Sequence, residues 1–172
     1  MTEKIIYREV KEKDSKQYFG LYEKVMEELK RNGKPEFFLP PQTFFDNLFD
    51  ENYARNIGAF DGKIMVGIVS LCITQEKVQE YKKILGMIDK KVCEFGNALL
   101  LPEYRGKGIV QTLNQKMIDL AKELQYEIAV ATVHPDNIAS RKVIEKIMIC
   151  SGDTSIQGHP RLLFKKELLD DQ

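Results

Sequence analysis

Tryptophan is absent from this 172-residue chain, histidine occurs twice, cysteine three times, and neither sign of charge is in excess. Each scarcity closes something off. Lys plus Arg and Asp plus Glu both number 26, so there is no basic field of the kind that gathers nucleic acid or an anionic membrane surface. Cys72, Cys93 and Cys150 are odd in number and lack close metal-ligand spacing, which predicts reduced, packed thiols in a cytoplasmic protein. His134 and His159 stand far from other candidate ligands in sequence, so no metal site is expected. No apolar run approaches the ~20 residues of a membrane span, and the start Met1-Thr-Glu-Lys-Ile-Ile lacks a signal core. Repeats, low-complexity tracts and Ser/Gly-rich linkers are also missing, so residues 1–172 read as one domain. With 43% hydrophobic residues, a chain of this length buries enough surface to need no staples.

Periodicity supplies the elements. Lys4 to Val10 reads as a first strand, and Asp14 is placed to cap a helix carrying Tyr18, Leu21, Tyr22, Val25 and Leu29. Asn32-Gly33 and Pro35 end it, and Pro40-Pro41 open a short second helix with Phe44, Phe45, Leu48 and Phe49. Ile57 to Phe60 and Ile64 to Ile73 are strands joined by Asp61-Gly62, a tight-turn pair. Residues 75–91 are polar and Lys-rich; they form either a helix with a stripe of Tyr81, Ile84, Leu85 and Ile88 or a long loop over the domain. Val92 to Leu101 is a strand with a bulge expected at Gly96-Asn97. A helix with Ile109, Leu113, Met117, Leu120 and Leu124 on one face follows, then the apolar strand Ile128 to Val133. Asp136 or Asn137 caps a helix carrying Val143, Ile144 and Ile147, and short strands near Met148–Cys150 and Arg161–Lys166 close the chain. The fold class is α/β (α+β), a mixed sheet with helices on both faces.

The chemistry concentrates in Leu99-Leu-Leu-Pro-Glu-Tyr-Arg-Gly-Lys-Gly-Ile-Val110, where a strand runs through a glycine loop into a helix. Glycines let backbone N–H groups approach a ligand, and the first helical turn offers unpaired donors and the positive dipole end. Arg105 and Lys107 add charge, so the place suits a phosphate or pyrophosphate. The spacing is neither a Walker loop nor Gly-x-Gly-x-x-Gly. Followed by His134-Pro-Asp-Asn-Ile-Ala-Ser140, this stretch resembles the GNAT superfamily of acyl-CoA-dependent N-acetyltransferases, from roughly Cys93 to Lys146.

The resemblance implies a mostly antiparallel sheet splayed between the strands at Leu99 and Val133, with acetyl-CoA as co-substrate in the cleft. By that likeness Leu99, Leu100 and Leu101 pair their backbone with the pantetheine arm. Arg105, Gly106, Lys107, Gly108, Ile109 and Val110 cradle the pyrophosphate, and Asn137 bonds the pantetheine or cysteamine portion. An amine acceptor is the other partner, and monomer and homodimer both fit. Departures from the family pattern are Glu103 in place of Gln or Arg, Val110 for a third glycine, Ile147-Met148 for Gly-Phe, and Ile144 for the tyrosine that protonates the departing thiolate in many members.

An alkylammonium has a pKa near 10, so attack on a thioester at neutral pH needs a base or a water chain. The likeness offers Glu94 as general base; the alternative is a strand residue facing solvent or paired with Lys90 or Lys91. Cys150, Tyr104 and Ser140 are substitute acids by rough position only. A backbone N–H at the bulged strand near Leu99 is expected to stabilise the oxyanion. His134, ending a strand, is either a base or a turn residue, and His159 falls in a hairpin loop. Phe37, Phe38, Phe44, Phe45 and Phe49 either wall an acceptor pocket or fill the core. Two functions stay open: an acetyltransferase, or an acyl-CoA-binding module without turnover, which Ile144 favours.

Overall fold

Alternation and turn chemistry generate seven strands, β1 (Ile6–Glu9), β2 (Ala54–Asp61), β3 (Ile64–Cys72), β4 (Val92–Leu100), β5 (Ile128–Val133), β6 (Ile149–Ile156) and β7 (His159–Glu167). The helices are α1 (Ser15–Arg31), α2 (Gln42–Asp46), α3 (Glu76–Ile84), α4 (Ile109–Glu123) and α5 (Ile138–Ile144). The structure, a computed structural model, describes residues 4–73 and 76–169. Gln75, the first residue of the expected polar segment, lies outside them.

The strands form one sheet in the order β1-β2-β3-β4-β5-β7-β6, antiparallel except for the β4–β5 pair. Asp61-Gly62 turns the β2–β3 hairpin with Gly62 at φ 58°, as a tight turn requires. Gln157-Gly158, at φ 50° and 81°, does the same for β6–β7, so His159 starts β7 opposite Ile156 instead of lying in the loop. The last hairpin is longer than its apolar pattern predicts, because β6 is an edge strand whose residues alternate weakly.

One stripe of α4, with Leu113 and Met117 fully buried, covers one sheet face. A Cβ on Gly67 would lie 3.0 Å from Leu100 Cδ1 and 3.3 Å from the Leu99 carbonyl oxygen, so glycine here permits the close approach of β3 and β4 under this helix. The opposite face carries Tyr18 of α1, which reaches β4, and Tyr81 of α3. Residues 76–84 are helical, but the stripe differs from the expected one. Val78 and Tyr81 are buried and pack on Val92, Val130 and Leu163, while Ile84 and Ile88 are exposed. Asp14 also departs from its expected role. Its carboxylate takes Arg8 (2.9 Å) and the Lys11 N–H (3.0 Å), tying the strand end to the turn before α1 rather than capping that helix.

Two features of β4 shape the site. Pairing with β5 stops after Val92↔Ile128, Cys93↔Ala129 and Glu94↔Val130, and beyond these the strands part. Against β3, the register passes from Ser70↔Gly96 to Ile68↔Leu99, which places a bulge at the expected Gly96-Asn97. Asn97 sits at φ 53°, a conformation that asparagine tolerates better than most residues.

Candidate active site

Where β4 and β5 separate, they open a cleft of about 570 Å³. Its walls include Phe95 to Leu100 of β4, Ala131 to His134 of β5 and its end, Val143 and Ile144 of α5, and the loop that starts α4. Among the described residues, no three His, Cys, Asp or Glu side chains converge as a metal-ligand set.

The glycine loop forms one end. Gly106 and Gly108 lie at φ 75° and 77°, and a Cβ on either would meet no atom within 4 Å. The cradle is therefore open, and its backbone conformation suits glycine. No side chain caps α4, and its first intrahelical bond runs from Thr112 N to Gly108 O (3.1 Å). The N–H groups of Ile109, Val110 and Gln111 thus lack helix partners at the positive end of the dipole. This donor set fits a pyrophosphate. Arg105 stands beside it, held by Glu28 of α1 through two bonds of 2.7 and 3.0 Å. Lys107 is exposed, lies over the Tyr104 ring at 5.1 Å, and is outside the cleft lining.

The strand residues divide. Leu101 donates its N–H to Val66 O and accepts from Tyr104 N, so its backbone is spent within the protein and it does not line the cleft. Alternation of the antiparallel ladder then turns the peptide groups of Leu100 to the cleft side. Leu99 and Leu100 both line the cavity. Asn137 caps α5, its Oδ1 accepting from Ser140 N at 3.3 Å, and also lines the cleft.

Glu94 is half-buried, and desolvation pushes its carboxyl up to about 7 against the opposing pull of a Tyr81 hydrogen bond and the Lys77 charge. Tyr81 also contacts Thr132, a cleft residue, although Glu94 itself does not line the cavity. Neither neighbouring lysine pairs with it: Lys90 faces Glu127, and Lys91 donates to Leu124 O. His134 Nδ1 accepts from Asp136 N (3.1 Å), which fixes the ring in a turn and leaves Nε2 as the protonated nitrogen. Ser140 and Ile144 line the cleft; Cys150 is exposed on β6, and Tyr104 donates to Asp61 (2.6 Å). Of the phenylalanines, Phe37 and Phe38 line the cleft, while Phe44 is core and Phe45 and Phe49 pack against it.

Three features escaped sequence reasoning. Glu28 pairs with Arg105 across 77 residues, and no local signal announces it. A buried chain runs from Tyr18 Oη to Asn97 Oδ1 (2.9 Å), Asn97 Nδ2 to Ser70 Oγ (3.0 Å), Ser70 Oγ to Asn56 Oδ1 (2.5 Å) and Asn56 Nδ2 to Leu48 O (2.8 Å). Asn114 lines the cleft from the buried stripe of α4, and a polar residue between Leu113 and Met117 was the available signal.

The sequence model of the acetyltransferase (GNAT) family matches residues 18–148. Among solved structures, FeeM, an N-acyl amino acid synthase from uncultured soil microbes, aligns with TM-score 0.74 at 13% identity, covering 97% of this chain and 92% of its own. The ribosomal-protein-S5-alanine acetyltransferase of Vibrio fischeri gives 0.72 at 20% identity, covering 99% and 96%. The yncA protein of Salmonella typhimurium, solved with its cofactor acetyl-CoA, gives 0.72 at 12% identity, covering 99% and 97%. No curated protein sequence matches. At these identities the structural likeness speaks for the fold.

Proposed function

The chain belongs to the GNAT acetyltransferase family, and on that premise we propose that it transfers an acetyl group from acetyl-CoA to a primary amine by direct attack within a ternary complex. The observation that carries this reading is the open glycine loop feeding three partnerless N–H groups into a cleft between parted strands. Gly106, Gly108, Ile109 and Val110 bind the pyrophosphate, with Arg105 and Lys107 supplying positive charge nearby. Leu100 presents its peptide groups to the pantetheine arm, Leu99 lines the cleft beside it, and Asn137 donates from its amide.

The acceptor enters as an ammonium that must lose a proton before it attacks the thioester carbonyl. Glu94 takes that proton through Tyr81, Thr132 or an intervening water, its carboxyl at about 7 being matched to neutral pH. The bulge at Asn97 holds backbone N–H groups toward the oxyanion. With Ile144 in the tyrosine position, the departing thiolate leaves on its own acidity, since a thiol pKa near 8.5 makes it a tolerable leaving group. That same substitution favours the second reading, an acyl-CoA-binding module without turnover.

The test is thermal unfolding with acetyl-CoA, CoA, ATP and NAD, on the wild type and Gly106→Trp. At a hundred times Kd, acetyl-CoA should add about 2.7 kcal/mol and raise Tm by roughly 5–10 °C. The variant should show no such rise. No shift with either CoA species would overturn both readings, and acetyl-CoA consumption over a panel of amines separates the first from the second.

A further inference from the structure

Among the described residues, Arg161 is the one lysine or arginine that is buried, at 3% exposure. It lies on β7 one step beyond the last β5–β7 pair, Val133↔Leu162, and so stands level with His134 just behind the cleft wall. Strand alternation puts it on the face of Leu163, where Tyr81 packs and where Glu94 pairs with Val130. Its partners are two backbone carbonyls. Nη1 donates to Pro160 O (2.9 Å), and Nη2 donates to Glu36 O in the turn Pro35–Phe37. No described carboxylate forms an ion pair with it, and its Nε makes no hydrogen bond yet is not sealed from solvent. Burial holds its pKa below the usual guanidinium value against the opposing pull of Tyr81 and Glu36.

A buried charge without an anion is costly, and holding a turn does not require one. The same hairpin already grips that segment with a neutral group, Gln157 Nε2 on Leu39 O (3.3 Å). What a guanidinium adds is the planar fork of Nε–H and Nη2–H, which meets a carboxylate with two parallel bonds. Half of that fork is idle at Nε, and the other half rests on a carbonyl, a weaker acceptor than a carboxylate. A second cation stands nearby. Lys34 lines the cleft, lies 5.9 Å from the Phe37 ring and has no described carboxylate partner, while Phe37 packs on His134 at 5.0 Å. The glycine-loop end differs, because Glu28 already neutralises Arg105 there. On the acetyltransferase reading, on which this inference rests, the phosphates take the glycine-loop end and the acceptor takes the end beside Phe37 and His134. We propose that the acceptor is a free amino acid, whose carboxylate Arg161 receives on Nε and Nη2 in exchange for the Glu36 carbonyl.

The experiment is acetyl-CoA consumption by wild type and Arg161→Gln, with a panel of amino acids each set against its decarboxylated amine, such as leucine with isopentylamine and phenylalanine with phenethylamine. The wild type should favour the acid of the preferred pair in kcat/KM by about thirtyfold, mostly through KM. Arg161→Gln should bring that ratio within about threefold of unity. The wild-type ratio needs no variant, so it decides even where Arg161→Gln fails to fold. A wild type that acetylates the amines as fast as their acids overturns the proposal. So does an Arg161→Gln that slows both members of a pair alike, the mark of an arginine that only holds the turn. No consumption with any amine, acid or not, overturns the acetyl-transfer reading itself, a result distinct from turnover without preference.

Discussion

Asn97 and Asn114 are both buried residues that line the cleft, one from the parted strand β4 and the other from α4. Asn97 is fully engaged: Tyr18 donates to its oxygen, and its nitrogen donates to Ser70. Asn114 has no described partner. Burial is met differently at the two amides: Asn97 is sealed inside the protein with its partners, whereas the Asn114 amide opens to the cleft. At the bulge the protein supplies the compensation, through a chain that ends on the Leu48 carbonyl and joins α1 to three strands. On α4 the open cleft supplies it. A polar group sealed in with its partners belongs to the scaffold, and one open to the cleft stays available to a ligand.

The largest expected effect tests the scaffold side. Asn97→Ala strands the Tyr18 hydroxyl, takes from Ser70 Oγ the donor it accepts from while leaving its bond to Asn56, and places a Cβ-bearing residue without a stabilising side chain at φ 53°. Breaking a connected buried network should cost about 3 kcal/mol, or roughly 6–12 °C in Tm, read by urea and thermal unfolding. Asn97→Gly, which accepts that φ freely, should recover about 1 kcal/mol of the loss. A cost below 1 kcal/mol for Asn97→Ala would erase the contrast with Asn114→Leu, for which no loss is expected.

Glu94 is intermediate, half-buried and only partly compensated by Tyr81. Its folded carboxyl titrates near 7, above the unfolded value, so the folded state holds the proton more tightly. That contribution is whole below about pH 4.5 and is lost as the pH climbs through about 7. Between pH 5 and 8 the wild type should lose about 2–3 kcal/mol that Glu94→Gln keeps, measured as unfolding free energy against pH. Parallel curves for the two proteins would mean that Glu94 is solvated like an ordinary surface carboxylate.

Legibility in the sequence followed the range of the interaction. Elements set by period and turn chemistry were readable: the Asp61-Gly62 hairpin turn, the bulge at Gly96-Asn97, the strand–glycine-loop–helix passage and a cap at Asp136 or Asn137. Their causes lie within a few residues of each other. Asp14 misled because its local capping chemistry is overruled by Arg8 on a neighbouring strand. The α3 stripe misled because apolar spacing allowed Ile84 and Ile88 as readily as Val78, and only the position of the helix on Val92, Val130 and Leu163 chooses. Tyr18 and Asn97 are 79 residues apart, and the sheet order alone brings them together. Leu101 looked equivalent to Leu99 and Leu100 until ladder register sent its peptide groups to Val66 and Tyr104.

Arg105 completes the comparison as a group whose partner can be exchanged. Its side chain is 48% exposed and that of Glu28 15%, and their two hydrogen bonds span from the phosphate loop to α1. A pair so open to water contributes no more than about 1 kcal/mol, so Glu28→Gln should change unfolding stability by less than that. Its effect on binding should be larger than its effect on folding. In the wild type a phosphate approaching Arg105 competes with a carboxylate already bonded to both terminal nitrogens, and meets the charge of that carboxylate as well. Removing the charge should raise acetyl-CoA affinity about threefold at low salt, an advantage that shrinks at 0.5 M salt as screening shortens the reach of Glu28. Weaker binding in Glu28→Gln would reverse the assignment: Glu28 would then hold Arg105 in place for the ligand, and the pair would stand with the Asn97 chain as scaffold.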